Sequence, residues 1–314
     1  MVKRQPERGI WVSMKKADTM GRAKNPLRTW MHLPAILYLV LLTQIPFLYA
    51  LWISLHSWNL LEPALGKPFV GVANYAYELL HDPEFWPVVE NTVKLIFGSL
   101  VVCIVVGTML ALLLHRAFPG RNLLRTVIII PFLITPSVSA VVWKNLILSP
   151  SFGLINWLIT TLGGQPIPWL SKFPMLSIIG MTSWEWTPFF VLVLTAGLQS
   201  VPEETIEAAR VDGADGPTIL WRIVLPFLRH YYEVAVLLGT IFIFQTFGKI
   251  YIATAGGPGI LTTTLPYYTY QVAFQHWAVG QAATIGVFGV ILAIIFAQIM
   301  VRYFTRGVEV EGVE

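Results

Sequence analysis

Two charged side chains stand inside otherwise apolar runs: Glu185 in the run 174–198, and Lys249 in the run 234–255. A charge at membrane depth is costly and normally faces a cavity or an opposite charge. At 1.5 Å per residue, Glu185 falls about 16 Å into its run, near mid-depth. Lys249 falls toward the far end of its own. Trp184, Trp186, Gln245, Tyr251 and Thr254 lie close by in the chain. Aromatic faces stack on C–H groups, while amide, hydroxyl and carboxylate groups bond to hydroxyls. The set suits a polyhydroxylated solute moving along a path. It equally suits helix–helix packing, a structural ion pair or a lysine that snorkels to the interface. Trp184 and Trp186 are two apart, so on a helix at most one faces such a path.

Catalytic arrangements are missing from the sequence. There is no Gly-x-x-x-x-Gly-Lys-Ser/Thr phosphate loop, no His-Glu-x-x-His pair and no Gly-x-Ser-x-Gly elbow. His32, His56, His81, His115, His230 and His276 are scattered near the ends of apolar runs, and Cys103 is the single cysteine. The reading is therefore no catalytic residue, no metal site and no bound cofactor. An intramembrane enzyme would need a nucleophile, base or metal set that these residues do not form.

The elements that carry Glu185 and Lys249 must be membrane spans. The chain of 314 residues is 55% hydrophobic and 12% charged. Soluble domains are roughly a quarter charged, because polar surface has to cover the core. Six runs are long enough to cross a bilayer: 33–55, 95–114, 126–143, 174–198, 234–255 and 282–301. Backbone groups in lipid must bond within their own segment, which predicts an all-α membrane protein of six transmembrane helices. Pro131, Pro136 and Pro188 interrupt bonding inside these runs and predict bends.

Lysine and arginine set the direction. Residues 1–31 form a basic arm with Lys3, Arg4, Arg8, Lys15, Lys16, Arg22, Lys24 and Arg28, in which Met14 and Met20 are alternative starts. Arg116, Arg121 and Arg125 follow the second run, Arg210, Arg222 and Arg229 the fourth, and Arg302 and Arg306 the last. The intervening loops are poor in both, and 256–280 has neither. Both termini are therefore expected in the cytoplasm, with a permease domain over 32–305 and a tail over 306–314. The net charge of +4 comes from these clusters, so no nucleic-acid partner is read from it. Trp30, Trp52, Trp58, Trp86, Trp143, Trp169 and Trp277 sit near run ends, as an interfacial belt would. The segment 75–88 reads as short amphipathic helices on the outer face.

The loop 200–226 is built unlike the others. Ser200 or Val201 before Pro202 reads as a helix start, Glu203 and Glu204 suit its positive end, and Gly213 suits its stop. A second helical stretch over 218–222 leads to Leu225-Pro226. Small residues at Ala208 and Ala209 leave a flat surface that another protein can approach.

Glu207-Ala208-Ala209, then Gly213, Ile223 and Leu225-Pro226, resemble at every defining position the EAA motif of permease subunits of binding-protein-dependent ABC importers. Trp184-Glu-Trp-Thr-Pro188, the run from Ala196 to Pro202, Gly256-Gly257-Pro258 and Asn74-Tyr75 resemble the maltose, glycerol-phosphate and polyol branch. The resemblance covers nearly all of the chain beyond the first thirty residues.

The resemblance implies a multi-pass subunit of the bacterial cytoplasmic (inner) membrane that imports a sugar or polyol. It implies that Glu207, Ala208, Ala209, Gly213, Ile223, Leu225 and Pro226 form or shape a coupling helix between the fourth and fifth spans. Implied partners are a second, unlike permease, two ATP-binding subunits that hold ATP and magnesium, and an extracytoplasmic solute-binding protein. A glycerol phosphodiester cargo is the alternative; it would favour several cations in the path, and only Lys249 is a candidate. An ion-driven transporter would carry inverted repeats or broken helices and leaves the loop unexplained.

Overall fold

The computed structural model describes residues 26–305, as helices without a β-strand among the described residues. The basic arm over 1–25 and the tail over 306–314 lie outside them. The chain divides between Trp52 and Ile53.

Helix α1, Pro26–Ser54, accounts for the first unit. It begins inside the predicted arm, with proline at its first position, where no amide donor is needed. It is apolar on every side, as a helix solvated by lipid must be.

The second unit begins with α2, Ala73–Leu80, on the segment expected outside. The second long helix, α3, is Phe85–His115. It starts ten residues before the predicted run because the charges that masked its start stay at its surface. Glu90 and Lys94 pair there at 2.7 Å, both exposed. The extra turns carry Asn91 and Thr92, which later prove to anchor a loop.

The third predicted span is not one helix. Helices α4, Arg121–Leu133, and α5, Pro136–Val142, meet at 105°. The residue before Pro136 is extended, as a following proline requires. A widened turn, Trp143–Ile147, continues α5. Helices α6, Leu154–Thr161, and α7, Trp169–Lys172, lead to the fourth span, α8, Pro174–Gln199, where the predicted run holds.

Helices α9, Glu203–Val211, α10, Gly216–Ile219, and α11, Leu225–Phe227, make up the loop that follows. The fifth predicted span is also broken. Helix α12, Arg229–Phe244, stops at Gln245, and α13, Gly248–Ala253, resumes after a gap. Helices α14, Leu265–Phe274, and α15, Val279–Thr305, complete the chain. Among the described residues, four helices are long and apolar enough to cross a membrane, or up to six if two bent pairs each make one span: 121–133 with 136–147, and 216–227 with α12, which meet at 56°.

Close backbone approach organises this unit. Helices α3 and α8 pack along their lengths. A methyl group on Gly107 would lie 2.8 Å from Phe190 Cβ, and one on Gly239 of α12 would lie 2.9 Å from the tip of the same ring. Phe190 is fully buried where α3, α8 and α12 meet. Small residues let helices close in this way where no hydrophobic drive separates lipid from side chain. Cys103, also fully buried, faces the Ser183 carbonyl at 3.7 Å.

On α2, Glu78 is 3% exposed, and Asp82 just beyond it accepts a 2.6 Å hydrogen bond from the Tyr268 hydroxyl of α14. Burial, reinforced by Asp82, pushes the Glu78 carboxyl up to about 8. The folded chain therefore keeps a proton that the unfolded chain loses near the ordinary carboxylate value. Stability from this group falls as pH rises toward 8. The melting midpoint in detergent should fall between about pH 5 and 8, and Glu78→Gln should flatten that slope. Parallel curves for the two proteins would refute the assignment.

Candidate functional site

The loop after α8 is built from local hydrogen bonds. Ser200 does not start a helix; its hydroxyl donates to the Gly197 carbonyl at 2.8 Å and closes α8. Its oxygen also lies 2.7 Å from the Tyr231 hydroxyl. Pro202 is extended at ψ 125° and stands just before α9 rather than in its first turn. Glu203 and Glu204 occupy the first turn, and Arg210 the last, both favourable to the helix dipole. Gly213 sits at φ 85°, a left-handed conformation that suits glycine, and the Ala214 amide donates back to Ala209 at 2.9 Å. The next short helix is capped by Asp215, whose carboxylate accepts from the Thr218 amide at 3.0 Å. Bonds from Thr218 hold that carboxyl below its usual range. The second stretch starts at Gly216, two residues before the predicted range, and widens over Leu220–Val224 before reaching Leu225 and Pro226.

This geometry sorts the motif residues. Glu207, Ala208 and Gly213 are exposed on the surface. Ile206 and Ala209 turn inward onto a cluster of Ala111, Leu194, Leu198, Ile219, Val224 and Leu228. The cluster joins the ends of α3 and α8 to the start of α12. Ile223 and Leu225 are half-buried beside it, and Pro226 is exposed. The sequence reading missed Val211 and Trp221, which stand 88% and 70% exposed on this loop. Large apolar residues in a polar, turn-rich loop were the signal that could have flagged them.

The intramembrane charges come together. Lys249 Nζ lies 3.0 Å from Glu185 Oε2, and the two residues are 2% and 5% exposed. Lysine 249 is thus fully buried against α8 and does not snorkel. The pair ties the half-helix α13 to α8. Helix α13 also packs on α5, and Lys144 donates to the Ile252 carbonyl at 3.0 Å.

The remaining candidates divide. Trp184 meets Trp143 edge-on, with ring centres 5.8 Å apart. Trp186 stacks on Phe242 at 5.0 Å with ring planes 14° apart, and meets Phe132 edge-on. The two tryptophans therefore serve different neighbours, as their spacing requires. Gln245 is exposed at the end of α12, and Phe242, one turn earlier, is 45% exposed. Phe242 escaped the sequence reading because a phenylalanine in an apolar run carries no mark; its position three residues before Gln245 was the available signal. Tyr251 is 47% exposed. Thr254 is occupied elsewhere: its hydroxyl lies 2.7 Å from that of Thr262 and closes the loop after α13.

A family model described as "Binding-protein-dependent transport system inner membrane component" matches residues 103–310. The chain belongs to this family. It is therefore a multi-pass permease of a bacterial inner membrane. The permease is 36% identical to "Probable ABC transporter permease protein y4oQ" of Sinorhizobium fredii, over 90% of this chain and 91% of that one. It is 34% identical to "Trehalose/maltose transport system permease protein MalF" of Thermococcus litoralis, over 88% of this chain and 93% of that one. Its fold is similar to a chain of a bacterial ABC transporter involved in the import of the acidic polysaccharide alginate. That similarity has a TM-score of 0.74 at 22% identity, covering 94% of this chain and 98% of that one. The broken helices occur in a chain of the importer family, so they do not mark it as an ion-driven transporter.

The buried pair gives a stability prediction. Lys249→Met leaves a buried carboxylate unpaired and should cost about 3–5 kcal/mol in detergent unfolding. The double variant Glu185→Gln/Lys249→Met should recover most of that loss. A double variant no more stable than the single one would argue against a direct pair.

Proposed function

We propose that this permease imports a sugar or polyol, delivered by an extracytoplasmic binding protein and driven by ATP hydrolysis in separate subunits. Helix α9 is the coupling helix: it carries Glu207 and Ala208 outward, and its inward residues sit on the ends of α3, α8 and α12. That single observation carries the reading, because a push on α9 reaches three membrane helices through one apolar cluster. The reading includes six spans with both termini in the cytoplasm, each bent pair crossing once. It also includes an unlike second permease and two ATPase subunits that hold ATP and magnesium. This chain supplies docking and path, and no hydrolytic group.

The substrate path runs by the break between α12 and α13. Irregular backbone at membrane depth is tolerated where protein buries it or where it lines a water-filled cavity. Gln245 offers an amide at this break, and Phe242 on Trp186 offers a ring face beside it. A neutral sugar meets both needs. A phosphate ester would want free cations, and Lys249 is committed to Glu185. The ion pair then acts on the path by fixing α13, and alternating access rocks the helices around it.

Three experiments test this. Gly213→Asp and Gly213→Asn are the same shape, and both residues tolerate left-handed backbone. In the reconstituted importer, the charged variant should hydrolyse ATP with at least tenfold less uptake, while the neutral one stays within about threefold, one decade being 1.4 kcal/mol. Equal uptake in both removes the docking role. Binding proteins encoded nearby, loaded with a panel of sugars and polyols, should stimulate hydrolysis; stimulation by amino acids alone rejects the cargo class. A Glu185→Gln importer with normal uptake removes Glu185 from the path.

A further inference from the structure

Five aromatic rings gather beyond the break, on the segment expected at the outer side. Phe247 stacks on Tyr251 at 5.7 Å, and Tyr251 meets Tyr270 edge-on at 5.6 Å. Tyr267 stacks on Tyr270 at 6.1 Å, and Tyr270 lies 5.4 Å from Phe274. The rings therefore run from the edge of the α12–α13 gap onto α14, with Tyr251 and Phe274 exposed at 47% and 63%.

The cluster is held in place by hydrogen bonds between α3 and the loop that leads into α14. Asn91 of α3 donates to the Ile260 and Thr263 carbonyls at 2.8 and 3.2 Å, and the Leu265 amide donates to Thr92 at 2.9 Å. Gly256, at φ 82°, brings the loop so close that a methyl group there would lie 2.8 Å from the Tyr267 ring. These contacts fix α14 against α3 and set the ring spacing.

Composition separates this face from the apolar face of α15. The exposed large apolar residues of α15 are aliphatic, as at Ile291, Ile294, Ile295 and Ile299. The ring cluster carries three phenol hydroxyls instead. Residues 250–280 contain no Asp, Glu, Lys or Arg, and the Lys144 ammonium that reaches α13 is taken by the Ile252 carbonyl, so the ring cluster itself carries no charge. Aromatic faces with hydroxyls at their edges fit the C–H face and hydroxyl rim of a pyranose ring.

We propose that Phe247, Tyr251, Tyr270 and Phe274 form an outer subsite that stacks a neutral sugar before it reaches Phe242 and Gln245. This rests on the carbohydrate reading above.

The test uses the complete importer in proteoliposomes, with maltose and trehalose as probes, and reads sugar delivered per ATP hydrolysed. Wild type must first transport one of the probes or another neutral sugar from a panel; uptake of none rejects the carbohydrate reading, and the subsite with it. Given uptake, the Tyr251→Leu/Tyr270→Leu protein should deliver about tenfold less sugar per ATP, with binding-protein-stimulated hydrolysis within about twofold. Tyr251→Phe/Tyr270→Phe keeps the rings and should stay within about threefold of wild type. Unchanged delivery by the leucine variant overturns the subsite while leaving the carbohydrate reading intact. Equal losses in the phenylalanine and leucine variants overturn stacking. Loss of the second permease from the purified leucine variant would place the rings in a subunit contact and also overturn the proposal.

Discussion

A peptide group in hydrocarbon must find its hydrogen bonds within the protein, and two interruptions, between α4 and α5 and between α12 and α13, show how this chain meets that demand. The chain turns sharply between Leu133 and Pro136, and it unwinds between Phe244 and Gly248. The two pieces that follow the breaks, α5 and α13, then pack on each other. The Lys144 ammonium takes the Ile252 carbonyl, and the Glu185–Lys249 pair ties the same half-helix to α8. Each break is thus covered by a partner carrying polar groups.

Close packing turns this into a machine part. Phe190 fills the space left by Gly107 and Gly239, so α3, α8 and α12 move as neighbours without slack. Next to this contact, at the loop end of the same three helices, Ile206 and Ala209 seat α9 on Leu194, Leu198 and Leu228. On the coupling reading proposed above, a displacement of α9 passes to helices that also carry Glu185, on α8, and the break after α12. Interiors at this density are stiff enough to transmit it.

On the path proposed above, the chemistry offered to a solute is neutral. Both intramembrane charges neutralise each other away from solvent, and the exposed groups near the break are an amide and ring faces. Selection in such a site comes from hydrogen-bond geometry and stacking. This is the opposite arrangement from a phosphate site, where free cations face the ligand.

The sequence alone carried everything that depends on composition or local spacing. The count of apolar runs, the bounds of α8, the left-handed stop at Gly213 and the opposite destinations of Trp184 and Trp186 all follow from properties of one segment at a time. The pairing of Glu185 with Lys249 was readable only as one of several options, because 64 residues separate the two and chain spacing says nothing of which helices meet. Three features lay beyond it. The 105° bend needs neighbours to cover freed backbone groups, so prolines could announce a bend but not its size. The true start of α3 at Phe85 was hidden by Glu90 and Lys94, charges that only an exposed helix face makes harmless. Phe242 and the ring cluster were invisible because an aromatic residue in an apolar run reads the same whether it packs in a core or faces an opening. Exposure is a property of the assembled helices, and only the tertiary structure decides it.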